Sequence, residues 1–376
     1  MLPHPPLWLV LIAFVCVLLP LVFFHELGHY LVARLFGIPA ETFSIGFGKE
    51  IFGWTDRQGT RWKIAWLPLG GYVKFVGDMG PAGDPASLEG VPKHLRDRAF
   101  QLQPVWQRFL VVLAGPMANF ILAILIFAAF FTFVGTPLTN SVGQIVPKTA
   151  AAIAGIEPGH RIVSIAGRPT PTFEDIANVV LLRPDETVSM EIEHKGAIRH
   201  IAVTLRSAQV ADATGRKMKA GVLGIRSTTK IGAPVPFYVA VPMAVGQTKR
   251  LTLSIVDGLA QLAKGQLSPK QVGGGPITIA RVAGQGAELG LFPFIGLLAL
   301  LSINLGFINL LPVPILDGGH LFFYVVEAVR RRPLSAQAVE WAFRGGFAII
   351  LTLMVFVTIN DLGSLGLWDR LQRLIG

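Results

Sequence analysis

The segment from Phe24 to His29 reads Phe-His-Glu-Leu-Gly-His and closes an apolar run that begins at Leu7. On a helix, His25 and His29 lie one turn apart on the same face, so two imidazoles can bind one Zn²⁺ ion. Glu26 lies beside them, where a carboxylate can activate a water molecule. This combination is the arrangement of a metallopeptidase. The alternative is that these polar residues only mark the point where the helix leaves the membrane.

The composition is that of an integral membrane protein. Of the 376 residues, 52% are hydrophobic and 15% are charged, and the mean hydropathy is +0.56, which is too apolar for an ordinary soluble domain. The net charge of +10 is dispersed along the chain, so we expect no nucleic-acid partner. Cys16 is the only cysteine, which excludes an intramolecular disulfide and a cysteine-based zinc cluster. Any metal must therefore be bound by His, Asp or Glu.

We expect about four membrane-spanning helices. The first lacks the basic region and cleavage site of a signal peptide and is therefore retained. The loop after it is rich in Lys and Arg, whereas the N-terminal stub has neither, so the positive-inside rule places this loop in the cytoplasm. Arg330 to Arg332 place the turn after the third span on the same side. The spans run over Leu7 to Phe36 and over approximately 104–134, 292–311 and 339–359.

The cytoplasmic loop contains a predicted β-hairpin. Strand-forming residues at Arg61 to Leu67 and Gly71 to Val76 flank the turn residues Pro68 to Gly70. The aromatic side chains of the hairpin suit a membrane interface, but a plain surface hairpin fits the pattern equally well.

The region from about Gly135 to Gly290 is different in character. Short β-rich runs alternate with turn signals and with one helical stretch, Thr172 to Leu182, which predicts a soluble α+β domain. Beyond it, a stripe of apolar residues at helical spacing predicts an amphipathic helix, lying either on the membrane or against the domain. The stripe consists of Leu251, Ile255, Leu259 and Leu262.

The third span ends in a broken helix that carries an acidic residue. Pro312 and Pro314 interrupt the helix at membrane depth, where the freed backbone groups need a protein or water partner, so a polar cavity is implied. Asp317 can supply the third ligand of a catalytic zinc site and leave the fourth position for water. The alternative role for Asp317 is an Asp-Gly turn at the interface.

These motifs together resemble the site-2 proteases, the intramembrane zinc metalloproteases of the bacterial regulator-of-sigma-E type. The resemblance rests on the His25 to His29 motif, on Asn309-x-x-Pro-x-Pro-x-x-Asp317-Gly, and on four further motifs that begin at Phe43, Pro68, Gly115 and Gly274. It implies that His25, His29 and Asp317 bind Zn²⁺ and that Glu26 is the catalytic base. It also assigns substrate binding to Asn309, Pro312, Pro314, Gly70 and Gly71. The alternative role for Asn309 is to tie the broken helix end together.

The segment from Ala154 to Ile162 resembles a bacterial PDZ domain, with His160 in place of the usual Asp. The enterobacterial type has two such domains, whereas this chain has room for one. The resemblance further implies single-span membrane proteins as substrates, among them anti-sigma factors or signal peptides. It implies a first cut by an upstream site-1 protease, and a multi-pass location in the bacterial inner membrane with the PDZ domain outside.

The predicted fold is therefore an α-helical polytopic membrane protein with an inserted α+β PDZ domain and a membrane-associated β-hairpin. The alternative function is a membrane-bound PDZ adaptor whose metal site is structural or silent. The predicted divisions are spans at 1–37 and 104–135, the hairpin loop at 38–103, the PDZ domain at 136–230, a linker with the amphipathic helix at 231–290, and spans at 291–332 and 337–361.

Overall fold

The computed structural model describes residues 5–77, 93–136, 140–211, 217–227, 232–265 and 275–364. The chain divides into two compact units. The helical unit comprises Pro3–Ala123 and Gly275–Asp361, and the αβ unit comprises Ile124–Gly274 together with both chain ends. Gly274, the first residue of one predicted motif, lies outside the described residues.

Four described helices are long and apolar enough to cross a membrane. They are α1 (Leu7–Leu35), α3 (Val105–Phe133), α8 (Leu291–Asn309) and residues Gln337–Leu362 of α10 (Ala336–Ser364). Their outward side chains are exposed and apolar, for example Leu11 at 56% and Leu353 at 58%, which suits contact with lipid rather than water. The expectation of about four spans is confirmed.

Helices α1 and α3 approach closely because glycine residues line their crossing. A Cβ atom at Gly28 would lie 2.3 Å from the Ala114 carbonyl oxygen, and one at Gly115 would lie 2.2 Å from Nε2 of His29. Any larger residue at either position would push the helices apart. The crossing therefore holds the α1 histidines directly against α3.

The sheet of the helical unit is formed by β1 (Ala40–Thr55) and β2 (Arg61–Phe75). Residues 42–45 of β1 pair with residues 71–74 of β2 on one side and with residues 61–64 on the other. Residues 50–55 pair with residues 61–65. Both long strands are thus bent into two segments each, and residues 71–75 form an edge of the sheet.

The predicted hairpin pairing of residues 61–67 with residues 71–76 is therefore wrong. The two segments flank β1 instead of each other, and the tight turn lies at residues 56–60. There, Oδ1 of Asp56 accepts hydrogen bonds from the backbone N–H groups of Gln58 and Thr60 at 2.8 and 2.9 Å. Tyr30 donates to Oδ2 of the same aspartate at 3.2 Å. This contact ties the sheet to α1 one residue after His29.

Among its described residues, the helical unit also contains the shorter elements α2 (Lys93–Arg96), a 3₁₀ turn (Phe100–Leu102), α7 (Pro276–Leu289) and α9 (Asp317–Arg330). A buried core that includes Tyr30, Phe43, Phe75, Val111 and Leu321 packs α1, the sheet, α3 and α9 together. The N-terminal end of α7 is capped by Asp361, whose carboxylate accepts from the N–H groups of Gly275 and Thr278 at 3.2 and 3.0 Å.

The αβ unit is built on a four-stranded sheet in the order β5-β4-β6-β7, with β4 at Arg161–Ile165, β5 at Arg168–Pro169, β6 at Thr187–His194 and β7 at Ala197–Thr204. Helix α5 (Phe173–Leu181) begins at a capping box in which Thr172 and Asp175 bond each other's backbone N–H groups. The remaining elements are β3 (Gln144–Ile145), α4 (Ala150–Ile153), β8 (Arg206–Ala211), β9 (Lys217–Val222) and β10 (Ile225–Arg226), with β3 paired to β10 and β8 to β9.

Helix α6 (Phe237–Ala263) packs within the αβ unit with a polar face inward. Of the predicted apolar stripe, Leu251 is buried but Leu259 is 41% exposed, whereas Asp257 is only 6% exposed. The predicted stripe therefore does not define the packed face. The physical reason is an ion pair, because Asp257 must face Arg183 at 2.7 Å and Arg168 at 3.0 Å.

Candidate metal centre

Three ligand-type side chains from distant parts of the chain converge in the helical unit. Nε2 of His25 lies 3.3 Å from Nε2 of His29 and 3.1 Å from Oδ2 of Asp317. The His29 nitrogen lies 3.5 Å from the same carboxylate oxygen. Within the described residues these side chains form the one group of three or more potential ligands that could hold a metal ion. The structure thus brings together the three residues that the sequence predicts as ligands.

The distances fit a shared ion better than direct hydrogen bonds. In a tetrahedral zinc site with bonds of about 2.0–2.1 Å, two ligand atoms lie about 3.3 Å apart. The three observed separations lie between 3.1 and 3.5 Å, and 3.5 Å is too long for a strong hydrogen bond. Oδ2 of Asp317 is moreover buried without a hydrogen-bond partner. A cation bound between the three atoms would satisfy all of them.

The second nitrogen of each imidazole has a partner on α3. Nδ1 of His29 lies 2.9 Å from the carbonyl oxygen of Val111, so Nδ1 carries the proton and Nε2 keeps its lone pair for a metal. Nδ1 of His25 lies 3.1 Å from the side-chain amide nitrogen of Asn119. Both histidines are thus oriented by one neighbouring helix.

Asp317 is positioned by the break between α8 and α9. The chain between Asn309 and Asp317 is non-helical, and Ile315 adopts a φ of 97°, which is strained for a β-branched residue. A Cβ atom at Gly318 would lie 2.2 Å from the Leu311 carbonyl oxygen, and one at Gly319 would lie 2.5 Å from that of Val313. The two glycines therefore let the loop fold back on the start of α9, which fixes Asp317 at the first position of that helix.

Glu26 lies between the two histidines in sequence and contacts the edge of the sheet. Gly71 lies so close to α1 that a Cβ atom there would be 2.6 Å from Val22 and 3.3 Å from Cγ of Glu26. The edge strand is thus held directly beside the candidate catalytic carboxylate.

A cavity of about 530 Å³ opens onto these residues. Glu26, the three candidate ligands, Tyr72 and Val73 line it, together with polar side chains that the sequence analysis did not select. Among these, His320 follows Asp317 by three residues and so shares its helix face. Arg108 and Glu327 form an ion pair at 2.8 Å with both side chains less than 20% exposed. The three-residue spacing from Asp317 could have identified His320 from the sequence. No local sequence pattern could have predicted the pairing of Arg108 with Glu327.

The predicted substrate-binding residues have a different placement. Asn309 is the last residue of α8 and is partly buried, and Pro312 and Pro314 follow in the loop. Gly70 packs against the ring of Phe47 with a φ of 140°. The described residues that line the cavity do not include these four, and they do not include Gly71 either. Their role in substrate binding therefore stays a prediction.

Comparison with known proteins identifies similar chains across almost the full length. The model of peptidase family M50 matches residues 13–353. A protein of Rhizobium meliloti with a provisional name as a zinc metalloprotease is 44% identical over 94% of this chain and 96% of its own length. A similarly named protein of Agrobacterium fabrum is 42% identical over 94% and 96%. The metalloprotease MmpA of Caulobacter vibrioides is 38% identical over 94% and 95%.

Proposed function

Since this chain belongs to peptidase family M50, the site-2 proteases, we propose that it cuts peptide bonds inside the transmembrane segments of single-span membrane proteins. It is a membrane metalloprotease with zinc as its cofactor.

One observation carries the proposal. His25 and His29 converge with Asp317 beside Glu26, and the helix that carries the two histidines and Glu26 is long and apolar enough to span the membrane. His25 follows Leu7 by eighteen residues on α1, which corresponds to a rise of about 27 Å. The hydrocarbon core is about 30 Å thick. If the core begins near Leu7, the site lies at membrane depth, close to the far face.

The chemistry assigns a separate role to each residue. His25, His29 and Asp317 would hold the zinc ion, which supplies the positive charge that activates water near neutral pH and polarises a peptide carbonyl. Glu26 accepts a proton from the attacking water and returns it to the amine of the leaving peptide.

Substrate presentation follows from the sheet edge. A transmembrane helix hides its peptide carbonyls in internal hydrogen bonds, so it must unwind locally before it is cut. Residues 71–75 form an edge strand that passes Glu26, and an unwound substrate segment would add to it as a further strand. Asn309, Pro312, Pro314, Gly70 and Gly71 are assigned here to binding the substrate by family resemblance.

The αβ unit is proposed to be a PDZ domain that filters substrates. Its sheet, the capped helix α5 and the short helix α4 support this assignment. The distribution of Lys and Arg favours a position outside the bacterial inner membrane, with the zinc site towards the cytoplasm. Such a domain would exclude bulky substrates and admit those already shortened by another protease, such as anti-sigma factors or signal peptides.

Deletion of residues 142–225 tests the filter. Cleavage of short substrates should persist, and cleavage of the full-length substrate should appear. Loss of short-substrate cleavage would instead indicate peptide capture by the domain, and continued exclusion of the full-length substrate would overturn the filter.

Cysteines placed at Arg57 and Arg199 in a Cys16→Ser background test the topology, because only position 199 should react with an impermeant thiol reagent in intact cells.

The function itself is tested with Glu26→Gln. This variant should retain zinc and lose cleavage of a short membrane substrate by roughly 10²–10⁴-fold, the usual contribution of a general base. Glu340→Gln is the matched control, because Glu340 is half-exposed and pairs with Arg344. Cleavage by Glu26→Gln at the wild-type rate would contradict the assignment. An adaptor with a silent metal site would show no zinc-dependent cleavage in either protein.

A further inference from the structure

We propose that Asn119 is a positioning residue that fixes the tautomer and orientation of His25 for zinc binding. Its carboxamide oxygen would accept the Nδ1 proton of His25, as the Val111 carbonyl accepts that of His29. The inference rests on the proposed zinc site, and it assigns a role to a buried polar residue that takes no part in the chemistry above.

The first observation is the contact itself. Asn119 is fully buried on α3, and its side-chain nitrogen lies 3.1 Å from Nδ1 of His25. Its oxygen Oδ1 is buried without a hydrogen-bond partner. A buried amide oxygen without a partner costs about 1–3 kcal/mol. We therefore expect the Asn119 carboxamide to take the other orientation when the site holds zinc.

The second step is the chemistry of the imidazole. If Nε2 of His25 binds zinc, the proton of the neutral ring is on Nδ1, which must then donate. An amide nitrogen cannot accept that proton, whereas the amide oxygen can. Rotation of the carboxamide by 180° about its terminal bond places Oδ1 opposite Nδ1. The same rotation gives the buried oxygen of Asn119 its missing partner.

The third observation is the anchoring of Asn119 by helix α8. The Ser302 hydroxyl donates to the Asn119 backbone carbonyl at 2.8 Å, and both residues are fully buried. A Cβ atom at Gly306 would lie 3.0 Å from the Pro116 carbonyl oxygen and 3.3 Å from Cβ of Asn119, so α3 and α8 are in close contact here. Asn119 therefore connects His25 to the helix that leads into Asp317.

The experiment measures the affinity for Zn²⁺ of the purified full chain by competition with a chelator. Asn119→Leu and Asn119→Ala remove the acceptor and should weaken zinc binding by roughly 10–100-fold. Asn119→Asp supplies a carboxylate acceptor and should bind zinc within about threefold of wild type, or more tightly. If the Leu variant does not fold, the Ala variant, which adds no bulk, carries the comparison.

The matched control is Asn140→Leu, because Asn140 is also buried but its carboxamide contacts Ile162 and Arg161 rather than a histidine. Zinc affinity should be unchanged in this control. Thermal unfolding with and without the chelator separates packing from positioning. A packing role lowers the unfolding midpoint in both conditions, whereas a positioning role lowers it only for the zinc-loaded protein.

The proposal is overturned if Asn119→Ala binds zinc as tightly as wild type, or if Asn119→Asp loses as much affinity as Asn119→Ala. Because no substrate is used, either result leaves the proposed function intact as long as His25→Ala abolishes zinc binding. Absence of zinc from the wild-type protein would instead overturn both.

Discussion

Two buried clusters of charged or ligand-type side chains, both among the residues that the structure describes, differ in how their charges are compensated. In the helical unit, two imidazole nitrogens and one carboxylate oxygen face one another at 3.1–3.5 Å. In the αβ unit, Asp257 lies between Arg183 at 2.7 Å and Arg168 at 3.0 Å. The first cluster presents only lone pairs to a common point, whereas the second pairs each charge with its opposite. The difference separates a ligand site from a structural ion pair.

Burial makes this difference energetically important. The side chains of Arg183 and Asp257 are 5% and 9% exposed, and Arg183 also donates to the Val179 carbonyl at 2.9 Å. The cost of removing these charges from water is therefore offset by their own contacts. Oδ2 of Asp317, in contrast, has no hydrogen-bond partner. The zinc cluster is thus expected to depend on its ion, whereas the arginine cluster is complete without one.

The largest effect is expected from Asp317→Ala. This variant should lose zinc and lower cleavage by roughly 10³-fold or more, because a catalytic metal contributes about 4 kcal/mol or more to the transition state. Zinc at about 1,000 times its Kd should raise the free energy of unfolding of the wild-type protein by about 4 kcal/mol, and that of Asp317→Ala by far less. Metal analysis, cleavage assays and denaturant unfolding measure these quantities.

With chelator present, Asp317→Ala should be no less stable than wild type, because the removed carboxylate had no hydrogen-bond partner at Oδ2. Asp97→Ala, at an exposed position, is the control. Equal loss of stability by the Asp317 variant with and without zinc would mean that Asp317 is structural, and the contrast between the two clusters would fail.

The second effect is expected from Asp257→Ala in the arginine cluster. Removal of Asp257 leaves buried Arg183 with only the more exposed Glu186 carboxylate, 3.9 Å away, as a counter-ion. The free energy of opening of α5 and α6 should therefore fall by roughly 3–5 kcal/mol. Hydrogen exchange of the full chain measures this quantity, and zinc content should not change. Glu193→Ala, which breaks the more exposed pair with Arg161, should cost about 1 kcal/mol or less.

Replacement of both Arg183 and Asp257 by Leu sharpens the same comparison. A buried ion pair replaced by apolar side chains is often neutral or stabilising, so the double variant should recover most of the stability that Asp257→Ala loses. Stability as low as that of the single variant would show that the pair has a role beyond charge compensation.

The smallest effect concerns pH in the αβ unit. His160 is 5% exposed, its Nδ1 accepts from the Glu157 N–H at 3.1 Å, and its ring lies 4.6 Å from that of His194. Burial and the neighbouring His194 lower the pKa of His160. The unfolded chain, with a pKa of about 6.5, then binds more protons than the folded one, so stability falls as pH drops below about 6.5.

His160→Asn keeps an acceptor for the Glu157 N–H and removes the titration. Hydrogen exchange of β6 between about pH 7.5 and 5.5 should therefore show a smaller loss of protection in this variant than in wild type. Zinc content should be the same in both proteins. An identical pH dependence in the variant would exclude His160 as the titrating group.

The sequence predicted those parts of the protein that depend on local patterns. Continuous apolar runs predicted four spans, and the spacing of His25 and His29 predicted their common helix face. The two prolines before Asp317 predicted the helix break that places this residue. Each of these features depends on a short, continuous stretch of sequence, so it can be recognised without knowledge of the rest of the chain.

The features that sequence analysis missed depend on contacts between distant residues. Residues 61–67 and 71–76 carry the same strand pattern whether they pair with each other or flank β1, so local propensity did not exclude the wrong pairing. Arg183 is separated in sequence from its partner Asp257 by 74 residues, and Asn119 is separated from its partner His25 by 94 residues. The packed face of α6 was misjudged because an ion pair outweighed its apolar stripe.

The most direct test of the central assignment is X-ray absorption at the zinc edge of the purified full chain. We expect four nitrogen or oxygen ligands at about 2.0–2.1 Å with the outer-shell scattering of two imidazoles. Loss of one imidazole signal is expected in His25→Ala. Two imidazoles bound equally well in His25→Ala, or a zinc site without imidazole in wild type, would contradict the assignment of His25, His29 and Asp317 as the ligands.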